Sequence, residues 1–171
     1  MPGNKDVFFT SRLVVFNEVF ASLKKKSSSN YSVVWHEAFG GRDASNIIDA
    51  IYALIKEERD TNNFVFWADN CTAQNKNWYL FTALAIMVNN DTHTSHVNNI
   101  TFKYLTKGHT HMTADGVHGN IEQQFKKARD VFDFQDLLCV IYKTITKKFK
   151  CTSSTNFIPM AKKETAASKG R

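Results

Sequence analysis

Four side chains in two stretches have the types and spacing for chemistry. Asp69 lies in FWADNCTAQNKN (66–77), at the end of an apolar run, Phe64 to Ala68. Amides and hydroxyls follow at once: Asn70, Thr72, Gln74, Asn75 and Asn77. An acid at the C-terminal end of a strand stands where open α/β sheets bind ligands. The other three are in GHTHMTADGVHGNIE (108–122). If Thr113 caps a helix, Asp115, His118 and Glu122 fall at i, i+3 and i+7 and share one face. Such a row is costly to bury unpaired, and it suits a hard divalent cation held by oxygens, with a histidine to move protons. Glu37, in WHEAFGGR, could support the same site from a neighbouring strand.

Each residue also has a plainer reading. Asp69 could hold a turn or cap the next helix. Asp115 near a helix N-terminus is favoured by the dipole alone. Glu122, in IEQQFKK, fits a solvated face, and Glu37 could pair with Arg42. A zinc site from His109, His111, His118 and Cys71 matches none of the usual spacings. His93 and His96 fall in a polar loop. GxxxxGK[ST], GxGxxG, GxSxG and HExxH are all absent, which removes the common nucleotide-binding, hydrolase-elbow and zincin readings.

The elements that must position these groups follow from periodicity. Residues 12–23 and 31–39 read as two β-rich strands joined by KKKSSSN, an antiparallel hairpin. From Asp43 the period changes, with Ile47, Ile48, Ile51, Tyr52, Leu54 and Ile55 at helical spacing. NFVFWADN reads as a strand buried on both faces, and residues 77–90 as an apolar helix. ITFKYLTK (100–107) is another strand, and an amphipathic helix follows. Residues 131–149 add a last mixed segment. The expected domain is residues 1–149, and residues 150–171 read as a disordered basic tail. The order is that of an α/β fold with an antiparallel start and parallel crossovers.

Composition sets the class. The 171 residues are 43% hydrophobic, enough for one core. No apolar run reaches 18 residues and no signal peptide is evident, so a non-membrane, intracellular protein is expected. Three unpaired cysteines speak against a disulfide framework. The net charge of +6 favours a polyanionic partner, most simply nucleic acid, or else a solvated basic surface.

The stretches SRLVVFNEVF, VVWHEAFGGR, FWADNCTAQNKN and ITFKYLTKGHTHMTADGVHGNIE resemble an uncharacterised domain of transposon-derived proteins with a ribonuclease H-like core of the DDE transposase or integrase type. The resemblance spans roughly residues 8 to 130, and its ADNC/QNKN and GHT/D/H/IE blocks are the specific ones. It implies a mixed sheet flanked by helices, with its first strand missing from this chain. It also implies a divalent-metal-dependent polynucleotidyl transferase or nuclease-like activity on DNA, and a nuclear location. Asp69 would be the second acid and Asp115 or Glu122 the third, binding Mg²⁺ or Mn²⁺, with His118 auxiliary. Lys76, Lys107, Lys126, Lys127, Lys147 and Lys148 would contact nucleic acid. The family's first acid lies on the strand upstream, for which Asn17 and Glu18 are poor substitutes. The alternative is therefore a catalytically dead, nucleic-acid-binding or inert remnant. The chain could also work as an oligomer.

Overall fold

The protein, as a computed structural model, is described over residues 13–23, 30–89, 92–106, 112–128, 131–144, 149–153 and 158–159. It is an α/β fold. The hairpin forms: β1 (Val15–Phe20) pairs antiparallel with β2 (Asn30–His36), Phe16 opposite Trp35 and Glu18 opposite Val33. Both strands are shorter than their apolar runs. Beyond His36 the chain turns, and Phe39 donates its N–H back to the His36 carbonyl.

Helix α1 (Ala44–Glu57) forms because Ile47, Ile51 and Ile55 recur at i, i+4 and i+8, giving one buried stripe. Complete burial of an aliphatic side chain such as Ile55 is worth about 1.5–3 kcal/mol. The stripe packs on Phe64 of β3 (Asn63–Ala68) and on Leu80, Leu84 and Met87 of α3 (Trp78–Asn89). Between these elements lies the short helix α2 (Thr72–Asn75). Asn77 caps α3, its Oδ1 accepting the Leu80 N–H at 2.8 Å. The polar loop after α3 holds a 3₁₀ turn, Thr92–Thr94, that buries Thr94 and leads to the buried Val97. β4 (Asn99–Tyr104) runs parallel to β3.

Helices α4 (Thr113–Lys127) and α5 (Phe134–Thr144) supply a second core, with Ile121, Leu138 and Ile141 around Val34 of β2. Val33, Trp35 and Ala50 join the other face of β2 to α1.

Four expectations are corrected. The described strands do not make one continuous sheet: β1 and β2 belong to one sheet, β3 and β4 to another, and between β1 and β3 lies a cleft of about 1340 Å³. β3 is not buried on both faces, because α1 and α3 cover only its Phe64 and Phe66 side. Val65 and Trp67 on the opposite side are 54% and 47% exposed. The N-cap of α4 is Met112 rather than Thr113. Residues 150–171 are not wholly without structure: β5 (Phe149–Ser153) adds to β2 in parallel, and β6 (Ile158–Pro159) pairs antiparallel with β5. The Val- and Trp-rich edge of β2 offers β5 a partner that local composition does not reveal.

Candidate functional site

Asp69 follows the last residue of β3 at the mouth of the cleft. Its Oδ1 accepts two hydrogen bonds, from the Cys71 N–H at 3.2 Å and from the Asn75 side-chain amide at 2.5 Å. The first is an Asx-type turn that lets the chain leave the strand and enter α2. Asn75 is fixed in its turn by the Tyr104 hydroxyl, which donates to its carbonyl at 2.6 Å. The amides after the acid therefore divide their work: Asn75 orients the carboxylate, while Asn77 caps α3 and donates to the Gln74 carbonyl at 3.2 Å. A carboxylate restrained through one oxygen keeps a fixed direction for the other.

The α4 N-terminus forms the opposite wall. Asp115 accepts the Met112 N–H at 2.7 Å, half of a capping arrangement that places its charge at the positive end of the helix. Thr113, Asp115 and His118 all line the cleft with Asp69. Two groups enter that the sequence reading set aside. Glu18 projects from β1, and Arg42 from the turn before α1.

Their electrostatics tie the cleft together. Burial raises the Glu18 pKa; Arg42 counters that rise, and the Asp69 charge adds to it. Burial likewise lowers the His118 pKa, with Asp115 opposing and Arg42 adding to the depression. Arg42 thus acts on Glu18 and on His118, in the cleft that Asp69 and Asp115 also line. Like charges gathered in one cleft repel unless a cation or a proton offsets them.

Glu122 is not part of it. It is exposed and pairs with Lys126 at 2.9 Å, an i,i+4 ion pair whose hydrogen bond holds its pKa below the usual carboxylate value. Glu37 also acts elsewhere: its Oε1 accepts the Val14 N–H at 3.2 Å, pinning the start of β1. Of the lysines, Lys76 lies 4.5 Å from the Tyr104 ring centroid, beside the Asp69 wall. Lys126 and Lys127 end α4. Lys107, Lys147 and Lys148, with His109 and His111, fall outside the described residues. Among the described residues no three His, Cys, Asp or Glu side chains come close enough to share one metal ion. The carboxylate donors suit Mg²⁺ or Mn²⁺ in kind, and Asp69 and Asp115 line the same cleft. No described helix is long and apolar enough to cross a membrane.

Glu18 was hard to find because its neighbours, Phe16 and Phe20, face the core on the same side of β1. Arg42 carried a faint signal, a lone cation after the Gly40–Gly41 break and before a helix.

Compared with known proteins, residues 17–164 match a family model described as a domain of unknown function (DUF7869). No curated protein matches the chain. No solved structure matches it either.

Proposed function

Starting from a chain that belongs to the DUF7869 family, we propose that it acts on DNA as a divalent-metal-dependent, nuclease-like domain of transposase descent, working in the nucleus. One observation carries this reading. Asp69 at the end of β3 and Asp115 with His118 at the start of α4 line the same cleft, although 46 residues separate the two acids in sequence. Strand ends opposite a helix start, lined with hard oxygen donors, suit a metal-bridged phosphate. Bound Mg²⁺ or Mn²⁺ would neutralise phosphate charge and polarise the phosphoryl group. Asp69 and Asp115 are the residues to hold it, and Asn75 keeps Asp69 in place. His118, held toward its neutral form by partial burial, is suited to accept a proton. Lys76, Lys126 and Lys127 would meet the backbone of the polymer. A ribonuclease H-like core agrees with the hairpin, the parallel β3–β4 pair and the helices between them.

The scatter of the acids favours a second reading, a domain that binds nucleic acid without cleaving it. No three described donors come together, and Arg42 already offsets the carboxylates. Supercoiled plasmid incubated with the chain and Mn²⁺ or Mg²⁺ separates the two. Nicking abolished by Asp69→Ala supports the first. Retarded but intact DNA supports the second.

A further inference from the structure

Helix α3 carries no charged residue and is apolar almost all round. A helix of that kind is ordinarily buried on every side. Here Leu80, Leu84 and Met87 enter the core, while the opposite side stands in solvent among the described residues. Trp78 is 84% exposed and Tyr79 65%, with Ile86 at 50% and Phe81 at 39%. At about 150–250 Å² for a whole aromatic side chain, these four residues open roughly 450–500 Å² of apolar surface. A patch of that size commonly marks an interaction site. None of the four lines the cleft that holds Asp69.

We propose that this face binds a second copy of the chain, pairing two α3 helices antiparallel about a two-fold axis. Charge selects the occupant. Two copies, each with a net charge of +6, repel where their basic surfaces meet, and α3 is a twelve-residue stretch without charge. The same lack of cations leaves a phosphate backbone nothing to bind there.

Spacing selects the geometry. Trp78, Thr82, Ala85 and Asn89 follow one another at intervals of 4, 3 and 4, and all four are exposed. That is the seam of a coiled coil. Antiparallel pairing sets Trp78 against Asn89 of the second copy, and Thr82 against its Ala85. Small side chains then meet at the centre, where the helix axes can approach to roughly 8 Å. The positive end of each helix lies beside the negative end of the other.

The ends of the seam suit an indole. Trp78 is held edge-to-face against Phe81, with ring centroids 6.4 Å apart. Asn89 borders a groove of about 470 Å³ between α3 and β4, which Phe81, Ala85, Ile100 and Phe102 also line. The Asn89 amide nitrogen donates to the Ala85 carbonyl at 2.8 Å, so its oxygen is the atom to accept the indole N–H of the second copy. Two such faces closed on each other remove about 1,000 Å², enough for a specific but weak pair.

Sedimentation velocity of the full chain, from about 1 to 200 µM, tests this over the range of a weak pair. The mass should rise with concentration from 19.5 kDa toward twice that value. Ala85→Glu, at an exposed position, should leave the circular dichroism unchanged and weaken association at least tenfold, because it buries an unpaired charge in the seam. Adding Thr82→Lys to that variant sets each lysine against the glutamate of the other copy, and association should recover. A chain that stays at 19.5 kDa throughout overturns the proposal. So does a dimer that Ala85→Glu leaves intact, or a double variant as weak as the single one. A monomer that instead sediments with phosphatidylcholine vesicles would assign the face to a lipid surface and overturn it as well.

Discussion

The Asn75 side chain donates to Oδ1 of Asp69 across one turn of chain, and the Tyr104 hydroxyl holds Asn75 from the neighbouring strand. The acid is therefore oriented by the parallel pair β3–β4, not by its own loop alone. Removing the amide with Asn75→Ala breaks a charge-assisted hydrogen bond, an interaction worth about 1.5–3 kcal/mol. Urea unfolding should show a loss of that size, with the slope unchanged. A loss below about 0.5 kcal/mol, the scatter of ordinary surface substitutions, would mean that the clamp does not restrain Asp69.

Arg42 is the cation that the cleft already contains. Arg42→Ala removes the charge that offsets Glu18 and leaves the acids to repel. The variant should unfold at lower urea than the parent but bind Mn²⁺ more tightly, because a guanidinium and a metal ion compete for the same carboxylates. Calorimetry on both proteins checks this. Weaker Mn²⁺ binding in the variant would show that Arg42 organises the acids instead of competing for them.

Glu18 gives a pH signature. Its pKa is raised above the ordinary 4.5, chiefly by burial, so the folded protein holds this proton more tightly than the unfolded chain does. The stability linked to that proton is present below pH 4.5 and lost as pH rises through the folded value. Glu18→Gln cannot lose it. Its melting temperature should exceed the parent's at pH 7, and the gap should close in acid. A gap independent of pH would assign the effect to packing.

Glu122 offers the contrast. Its ion pair with Lys126 is exposed on both sides, so Glu122→Ala should change stability by less than about 0.5 kcal/mol. Mn²⁺ affinity should also be unaffected. A clear loss of binding would place Glu122 at the site after all.

The legible parts of this protein are those written in short-range pattern. The isoleucine stripe of α1, the β-branched hairpin and the apolar run ending in Asp69 all follow from periods of 3.6 or 2. Asp115 and His118 were legible as one face of a helix, and both line the cleft. Glu122, seven residues after Asp115, keeps nearly the same angle but lies about two turns, roughly 10 Å, further along α4, beyond the cleft and paired with Lys126. What stayed hidden depends on long-range pairing. The exposed side of Trp67 reflects where α4 and α5 settle, on the β1–β2 pair, and no residue near Trp67 encodes that. Glu18 and Arg42 share the cleft because β1 pairs with β2, and Arg42 stands in the turn that follows β2. The pairing of β5 with β2 joins residues more than 100 positions apart, beyond the reach of any local signal.

The central claim is that Asp69 and Asp115, on opposite walls of one cleft, serve one cation. Calorimetric titration with Mn²⁺ of the parent chain, Asp69→Ala and Asp115→Ala tests it most directly. The account predicts saturable binding by the parent and at least a tenfold loss, about 1.4 kcal/mol, in each variant. Binding that survives either substitution unchanged, or no binding by the parent, would contradict it.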